Sequence, residues 1–519
     1  KMYKHVLVLV TMWSVCLGAN ILMVSPLAPQ SHENVFNSVA KLLVSHGHNV
    51  TMVLPGFSRV EGVTYISTQN LSERVKSKYL SKSIQSMFSK SDSLSQITVM
   101  VMVALKMEKE LSMMCLEDTK VSALFSLPRK TFDLVITNAR ANLCVMPLAH
   151  LQNVPLVQLS PSGLFHHTHV ALGNPQLPSI NPAYYLHFTD NMTFLERLIN
   201  TVGHLVPYFI MKFFTYPAVD GYISALTPKK IPSIETLMMD TRLVLINTHH
   251  SLTYPRAFLP NIVEIGGIHC MPAKPLPHDF QSFVGEKEKG FIFFSLGSTT
   301  PSGSLPEEKR NIFLQVFSAI PFQVIWKFDD PAQIKELPPN VKLVTWAPQQ
   351  DLLGHPEVKL FITQGGLLSV QEATYHGVPI LGLPIFGDQH LNTQQIVKKG
   401  YGLTLGWDDI TVTSLTEAIL TITSDERFKR KATVWSKIFR DDLTSPGERA
   451  LHWIEYILRH EGADFLRSPG RDLMFYQYYL LDVFVFIFLG LYLIYKILRF
   501  LCCRWGLKAS DSTNLKKDQ

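Results

Sequence analysis

The residues with the most chemistry lie between Trp346 and Gln389, in the stretch WAPQQDLLGHPEVKLFITQGGLLSVQEATYHGVPILGLPIFGDQ. Trp346 offers a flat face on which a base can stack, and Gln349 can bond that base's edge. Gly365-Gly366 follows an apolar run and opens a helical one, so backbone N–H groups can approach a phosphate at the helix N-terminus. Gly297-Ser298 repeats the arrangement after Phe291–Leu296. Glu372, one to two helical turns past the glycines, can accept two hydrogen bonds from a ribose diol. Asp388-Gln389 can bind sugar hydroxyls. Taken singly each has a plainer reading: Trp346 as core, the glycines as a tight turn, Glu372 as a solvated helix residue. The ordered set outweighs those readings and suits a nucleotide-sugar.

Such a set works only if secondary structure delivers it to one edge. Apolar runs alternate with helical stretches, the pattern of βα units and parallel sheets. In the first half strands are expected at Ile21–Val24, Val50–Leu54, Phe132–Thr137, Leu156–Leu159 and Leu243–Asn247, with a helix from Asn34 to Ser45 closed by Gly47. In the second half they are expected at Phe291–Leu296, Gln323–Trp326, Val341–Thr345, Leu360–Thr363 and Ile380–Leu383. Pro272, Pro275 and Pro277 punctuate the join. The expected fold class is α/β, with two facing doubly wound Rossmann-like domains, 20–272 and 273–445. Open sheets of this type bind ligands beyond the carboxyl ends of their strands. His32 falls in the loop after the first strand and so faces the cleft. A histidine there is suited to deprotonating a hydroxyl near neutral pH; the plainer reading is a loop histidine bonded to backbone.

A chain of 519 residues is too long for one ordinary core and long enough for two. Hydrophobic residues at 46% and charged residues at 17% indicate a globular protein with a membrane contribution, not a disordered one. The net charge of +6 comes from the ends: Lys1 and Lys4, and six basic against two acidic residues from Lys496 to Gln519. No basic domain is left to argue for nucleic acid. Residues 1–19 read as a signal peptide, with an apolar run from Val6 to Leu17 before Gly18 and Ala19. Lys1 precedes Met2, so Lys1 is read as other than the natural start. Residues 446–478 are expected to be helices leading to a membrane span at 479–498, preceded by Tyr476, Tyr478 and Tyr479 and followed by a basic cytosolic tail, 499–519. Of six cysteines, Cys115, Cys144 and Cys270 fall between signal and span, enough for one pair at most. Cys502 and Cys503, just past the span, suit palmitoylation. No spacing suggests a metal site. Asn70 and Asn191 suit glycosylation; Asn49 also matches but is discounted as the start of a buried strand.

The Trp346–Gln389 block resembles the signature of the UDP-glycosyltransferases, the animal membrane-bound branch. The resemblance runs from residue 20 to the tail. It is supported by Ser31-His32, Phe132-Asp133-Leu134-Val135, Gly173-Asn174-Pro175, Asn247-Thr248-His249, Ile265-Gly266-Gly267-Ile268-His269 and Phe294-Ser295-Leu296-Gly297-Ser298. Leu367-Leu368-Ser369 is similar to insect members. The resemblance implies a GT-B fold, with the acceptor in the N-terminal half and the UDP-sugar in the C-terminal half. It implies inverting, metal-independent hexose transfer with no cofactor, the UDP-sugar being a co-substrate. Trp346, Ala347 and Gln349 would hold uracil and Glu372 the ribose. Gly297, Ser298, Gln364, Gly365, Gly366 and Ser369 would meet the diphosphate, Asp388 and Gln389 the sugar, and His32 would be the general base. Residues around 60–125 and 160–240, rich in Leu, Met and Phe, would line the site of a small lipophilic acceptor. Glucose is the expected sugar, by the insect-like wording. The terminal Lys516-Lys517 resembles the dilysine retrieval signal, which places a single-pass type I protein in the endoplasmic-reticulum membrane with its domains lumenal. A homo-oligomer is left open.

Two positions depart from that pattern. The family pairs its histidine with a carboxylate after the Phe-Asp-Leu-Val strand, at the place of Asn138 or of Leu143. The segment from Thr137 to Cys144 has no acid, and Asp133 belongs to the strand. Asn138 or Asn142 is expected to orient His32 through its carbonyl, without stabilising an imidazolium. Gln364 stands where relatives have histidine and keeps a donor without a positive charge. The expected activity is slow or acceptor-restricted transfer; the alternative is a lumenal binding protein for UDP-sugar or lipophile with little turnover.

Overall fold

The structure is a computed structural model and describes residues 18–87, 93–140, 142–285, 289–298 and 300–514. The signal-peptide reading therefore rests on residues outside the described ones, apart from 18 and 19, as does the Lys516-Lys517 reading.

Two parallel sheets organise residues 20–404. The first comprises β1 (Asn20–Val24), β2 (Asn49–Leu54), β3 (Thr64–Ser67), β4 (Leu134–Asn138), β5 (Leu156–Ser160), β6 (Leu243–Ile246) and β7 (Ile262–Glu264), in the order β3-β2-β1-β4-β5-β6-β7. The second comprises β8 (Phe291–Ser295), β9 (Gln323–Lys327), β10 (Val341–Val344), β11 (Val358–Thr363), β12 (Ile380–Gly382) and β13 (Gly402–Thr404), in the order β10-β9-β8-β11-β12-β13. The strands are apolar on both faces because helices cover both. Within β8, Ile292 and Phe294 enter one core with Trp326, while Phe291 and Phe293 enter another with Ile325 and Phe361. β1 divides likewise, Leu22 and Val24 against Ile21 and Met23. The short strands β3, β7 and β13 were not anticipated. Each forms a sheet edge, where three or four residues suffice and periodicity carries little signal.

In each sheet the strand order reverses once beside the first strand, between β1 and β4 and between β8 and β11. The loops leaving those neighbours diverge and open a crevice. Around it stand His32, in the first turn of the helix after β1, and Asn138, at the end of β4, in one sheet, and Gly297 and Gly365 in the other.

The first helix is longer than expected, Gln30–Ser45, so His32 lies in its first turn and not in a loop. Pro29, at φ −68°, fits the helix entrance, and the polar run after it hid the start. Glu33 in the same turn is buried and accepts from the backbone N–H groups of Gly56 (3.0 Å) and Ser58 (2.9 Å), which fixes the turn. Asn49, discounted as buried, is exposed where it opens β2. Near the end of the folded unit, the helix Pro446–Arg459 places Ala450, Ile454 and Ile457 in the core of the first sheet.

Residues 468–519 form a separate unit. Its helix Leu481–Asn514 includes Leu481–Cys503, 23 residues of mean hydropathy 2.2, long and apolar enough to cross a membrane. The helix continues through much of the segment expected as tail.

Candidate active site

The second sheet delivers its residues to one edge. Gly297 turns out of β8 at φ +78°, and a Cβ there would lie 2.1 Å from Gln364 Nε2, so only glycine fits. Gly365 leaves β11 at φ +85° and Gly366 caps the helix Leu367–His376 with no side-chain bond, so the first N–H groups of that helix stay open to an anion. Gln364 is buried between the two turns. Its Oε1 accepts from Thr363 Oγ1 (2.9 Å), which leaves the amide N–H groups facing Gly297 and Gly366. It therefore supplies a neutral donor where a phosphate would sit.

Trp346 is 62% exposed beyond β10, an unusual exposure for tryptophan and free for stacking. Ala347 is packed in the core under the sheet, so only its backbone can meet a ligand. Gln349 Nε2 donates to Ser369 Oγ (3.0 Å) and to Glu372 Oε2, joining three of the expected residues directly. Glu372 is buried. Desolvation pushes its carboxyl up to about 7, against the Gln349 hydrogen bond and the charge of Lys327. His269 Nε2 lies 3.7 Å from Glu372 Oε1 and 3.2 Å from Leu368 O; burial holds its pKa down, at about 4, so the ring is neutral there.

Asp388 begins the helix Gln389–Lys399 and accepts from Asn392 Nδ2 (3.2 Å), which also donates to Gly365 O (3.0 Å). Gln389 is buried and its Oε1 accepts from Ile385 N (2.8 Å) and Phe386 N (3.0 Å), so it shapes the loop before Asp388. Ser298 is exposed past the Gly297 turn. The sequence reading missed Lys327 and Asn392. Lys327 ends β9 with Nζ 3.4 Å from Gly297 O, and burial lowers its pKa. Its place at the carboxyl end of a strand beside β8 was the available signal.

On the first sheet, Asn138 ends β4 and is buried. Its Oδ1 accepts from the backbone N–H of Arg140 (3.0 Å), and its Nδ2 faces Ser25 Oγ (3.0 Å) and His32 Nδ1 (3.3 Å). The expectation of a carbonyl facing His32 is thus corrected: the Arg140 N–H claims the carbonyl and the amide group is turned to the imidazole. A donor at Nδ1 requires Nδ1 to be the acceptor, so the ring hydrogen resides on Nε2. Burial, then the Arg140 guanidinium, hold the His32 pKa down at about 3, so the ring is neutral. Asn142 does not meet His32; it donates to Arg140 O, and its own Oδ1 is buried without a hydrogen-bond partner among the described residues. Asp133 accepts from Asn20 N (2.8 Å) as an anchor of β1.

Beside Asn138 opens a pocket, about 600 Å³ of space with open solvent included, lined among others by Glu108, Arg140, Asn142, Met146, Phe165 and Met211. A second space of about 510 Å³ lies between the sheets, with Ser162, Tyr184 and Thr248 from the first half and Leu367, Asp388 and Asn392 from the second. Arg140 stands at the boundary: it lines the first and donates from Nη1 to Ser162 Oγ (2.6 Å) in the second. Arg140 thus links the walls of the two spaces, the second of which includes Asp388.

The architecture agrees with comparison to known proteins. The family model described as "UDP-glucoronosyl and UDP-glucosyl transferase" matches residues 20–516. The chain is 33% identical to UDP-glucosyltransferase 2 of Dactylopius coccus, over 96% of each. It is 31% identical to 2-hydroxyacylsphingosine 1-beta-galactosyltransferase of Mus musculus, over 94% of this chain and 90% of that one. Its fold is similar to that of the solved glycosyltransferase VinC in complex with dTDP, at a TM-score of 0.57 and 17% identity, covering 85% of this chain and all (100%) of that one. The fold is GT-B, and the chain belongs to the UDP-glycosyltransferase family: it is a transferase that takes a sugar from a UDP-sugar.

Proposed function

We propose that the protein transfers glucose, with inversion, from UDP-glucose to an oxygen of a small lipophilic acceptor held in the cavity beside Asn138. The observation that carries this reading is the shared space in which Tyr184 and Asp388 meet, joined through Arg140 to an otherwise largely apolar cavity. The uracil would stack on Trp346, the ribose would be taken by Glu372, and the diphosphate by the Gly297 and Gly365-Gly366 turns with Gln364. Lys327 adds a cation close to the Gly297 turn. The likeness to UDP-glucosyltransferase 2 of Dactylopius coccus, over 96% of both chains, supports glucose. The Leu481–Cys503 helix supports membrane association, with the type I endoplasmic-reticulum placement read from the sequence.

His32 is the base candidate by position. To take a proton at Nε2 it must first carry its resident hydrogen on Nδ1, opposite the Asn138 amide group. Acceptors that need strong base assistance are disfavoured, which supports transfer restricted to acidic or already ionised oxygens.

The test is a donor panel of UDP-glucose, UDP-glucuronate, UDP-galactose and UDP-N-acetylglucosamine, scored by thermal shift and product formation, beside His32→Ala. With a phenol acceptor, which must lose a proton, UDP-glucose should give product, and His32→Ala should reduce that turnover. Product unaffected by that substitution overturns the role of His32. Stabilisation by UDP without product from any donor favours a binding protein.

A further inference from the structure

We infer that Arg140 is an anion-receiving residue of the acceptor cavity, and that the acceptors selected are lipophilic carboxylates, which become glycosyl esters. The inference rests on the transferase reading above and names the substrate class of that site.

The guanidinium is held on its flanks and not neutralised. Its carbon lies 4.6 Å from the Phe165 ring centroid and 5.0 Å from that of Tyr184. Nη1 donates to the Ser162 hydroxyl. Among the described residues no carboxylate lies within ion-pair distance of it, although Glu108 lines the same cavity. A guanidinium with a rigid aromatic seat and no counter-charge is poised for an anion, and its planar fork matches a carboxylate. The rest of the wall, including Leu143, Met146, Met211 and Met238, suits an apolar body.

The same charge explains why a base is dispensable. Asn138 meets His32 with its amide group and the Arg140 backbone N–H with its carbonyl, and the Arg140 charge acts on the imidazole. A carboxylate is ionised at neutral pH and attacks without losing a proton. Its oxygen forms a bond to the anomeric carbon, the bond from that carbon to the diphosphate oxygen breaks, and the electron pair leaves with UDP. No proton changes hands. Glu108 does not oppose this: burial pushes its carboxyl up to about 7, against the pull of Arg140, and its Oε2 has no hydrogen-bond partner among the described residues. In the protonated form it can donate to the bound carboxylate.

The experiment compares 2-naphthoate with 2-naphthol, one aromatic body with two nucleophiles, on the full chain in microsomes with UDP-glucose. Wild type should favour naphthoate in kcat/KM. Arg140→Gln should lower the naphthoate-to-naphthol ratio by about tenfold or more, mainly through KM, and Arg140→Lys should recover part of it. UDP-induced thermal stabilisation of each variant confirms the fold. Naphthoate binding by thermal shift is measured alongside, independent of turnover. Preference for naphthol, or equal loss of both substrates in Arg140→Gln, overturns the anion site and leaves the transferase reading intact. Arg140-dependent naphthoate binding with no product from any donor supports the anion site and overturns the transferase reading of it.

Discussion

At Glu372 two demands meet. In its proposed role the carboxylate must be ionised to accept from a ribose diol, yet burial raises its pKa from the ordinary carboxylate value to about 7. Below that pH the unliganded protein keeps the proton, and binding of a UDP-sugar must expel it. Affinity for UDP-glucose should therefore rise with pH up to about 7 and level off above it. Glu372→Gln should bind about tenfold or more weakly and show no such rise. Titration calorimetry across that range checks this; a wild-type affinity independent of pH would refute it. Folding carries the opposite sign: the raised pKa means that burying the ionised carboxylate costs stability, a cost that grows as pH rises from the unfolded value to about 7 and is absent below it. Glu372 was legible in the sequence because its distance from Gly365-Gly366 is fixed by one helix. The Asn138 amide orientation was not, because it is set by an N–H two residues along whose carbonyl partner only the folded turn determines.

The cavity beside Asn138, proposed to hold the acceptor, is shaped by a pair of segments locked together. Cys115, in the helix Glu108–Glu117, is bonded to Cys144, in the turn after β4, across 29 residues of sequence. The same helix begins with Glu108 and the same turn carries Arg140 and Asn142, so the disulfide ties two walls of one cavity. Cys144→Ser, or reductant, should cost about 2–4 kcal/mol of stability and loosen acceptor binding, with little effect on UDP-glucose. Thermal unfolding with and without reductant, read beside both ligands, distinguishes this from general unfolding. The cysteine count allowed one pair at most and could not choose it. Cys270 is left free, and Cys115 with Cys144 are brought together by packing alone.

For the whole molecule, the two sheets are held by contacts from distant parts of the chain. Gln371 Nε2 donates to Asn247 O (2.8 Å), and Lys398 pairs with Asp190 (2.6 Å). The helix Pro446–Arg459 follows the second sheet in sequence but completes the core of the first, where Ile454 is fully buried. Ile454→Ala should therefore destabilise the first sheet's domain by about 2–5 kcal/mol, seen as a lower melting temperature, while UDP-glucose affinity per folded molecule is retained. A melting temperature equal to wild type would contradict that packing. The sequence by itself determined the α/β class, ten of the thirteen strands found among the described residues and the residue block proposed to hold the nucleotide-sugar, because each follows from apolar runs and turn residues within a few tens of residues. Only the tertiary structure decided that Arg140 joins the walls of two spaces, that Asn138 turns its amide to His32, and that Lys327 and Asn392 stand beside the Gly297 and Gly365 turns. Those relations join side chains from separate strands and helices, and local pattern carries no record of which neighbour a side chain will meet.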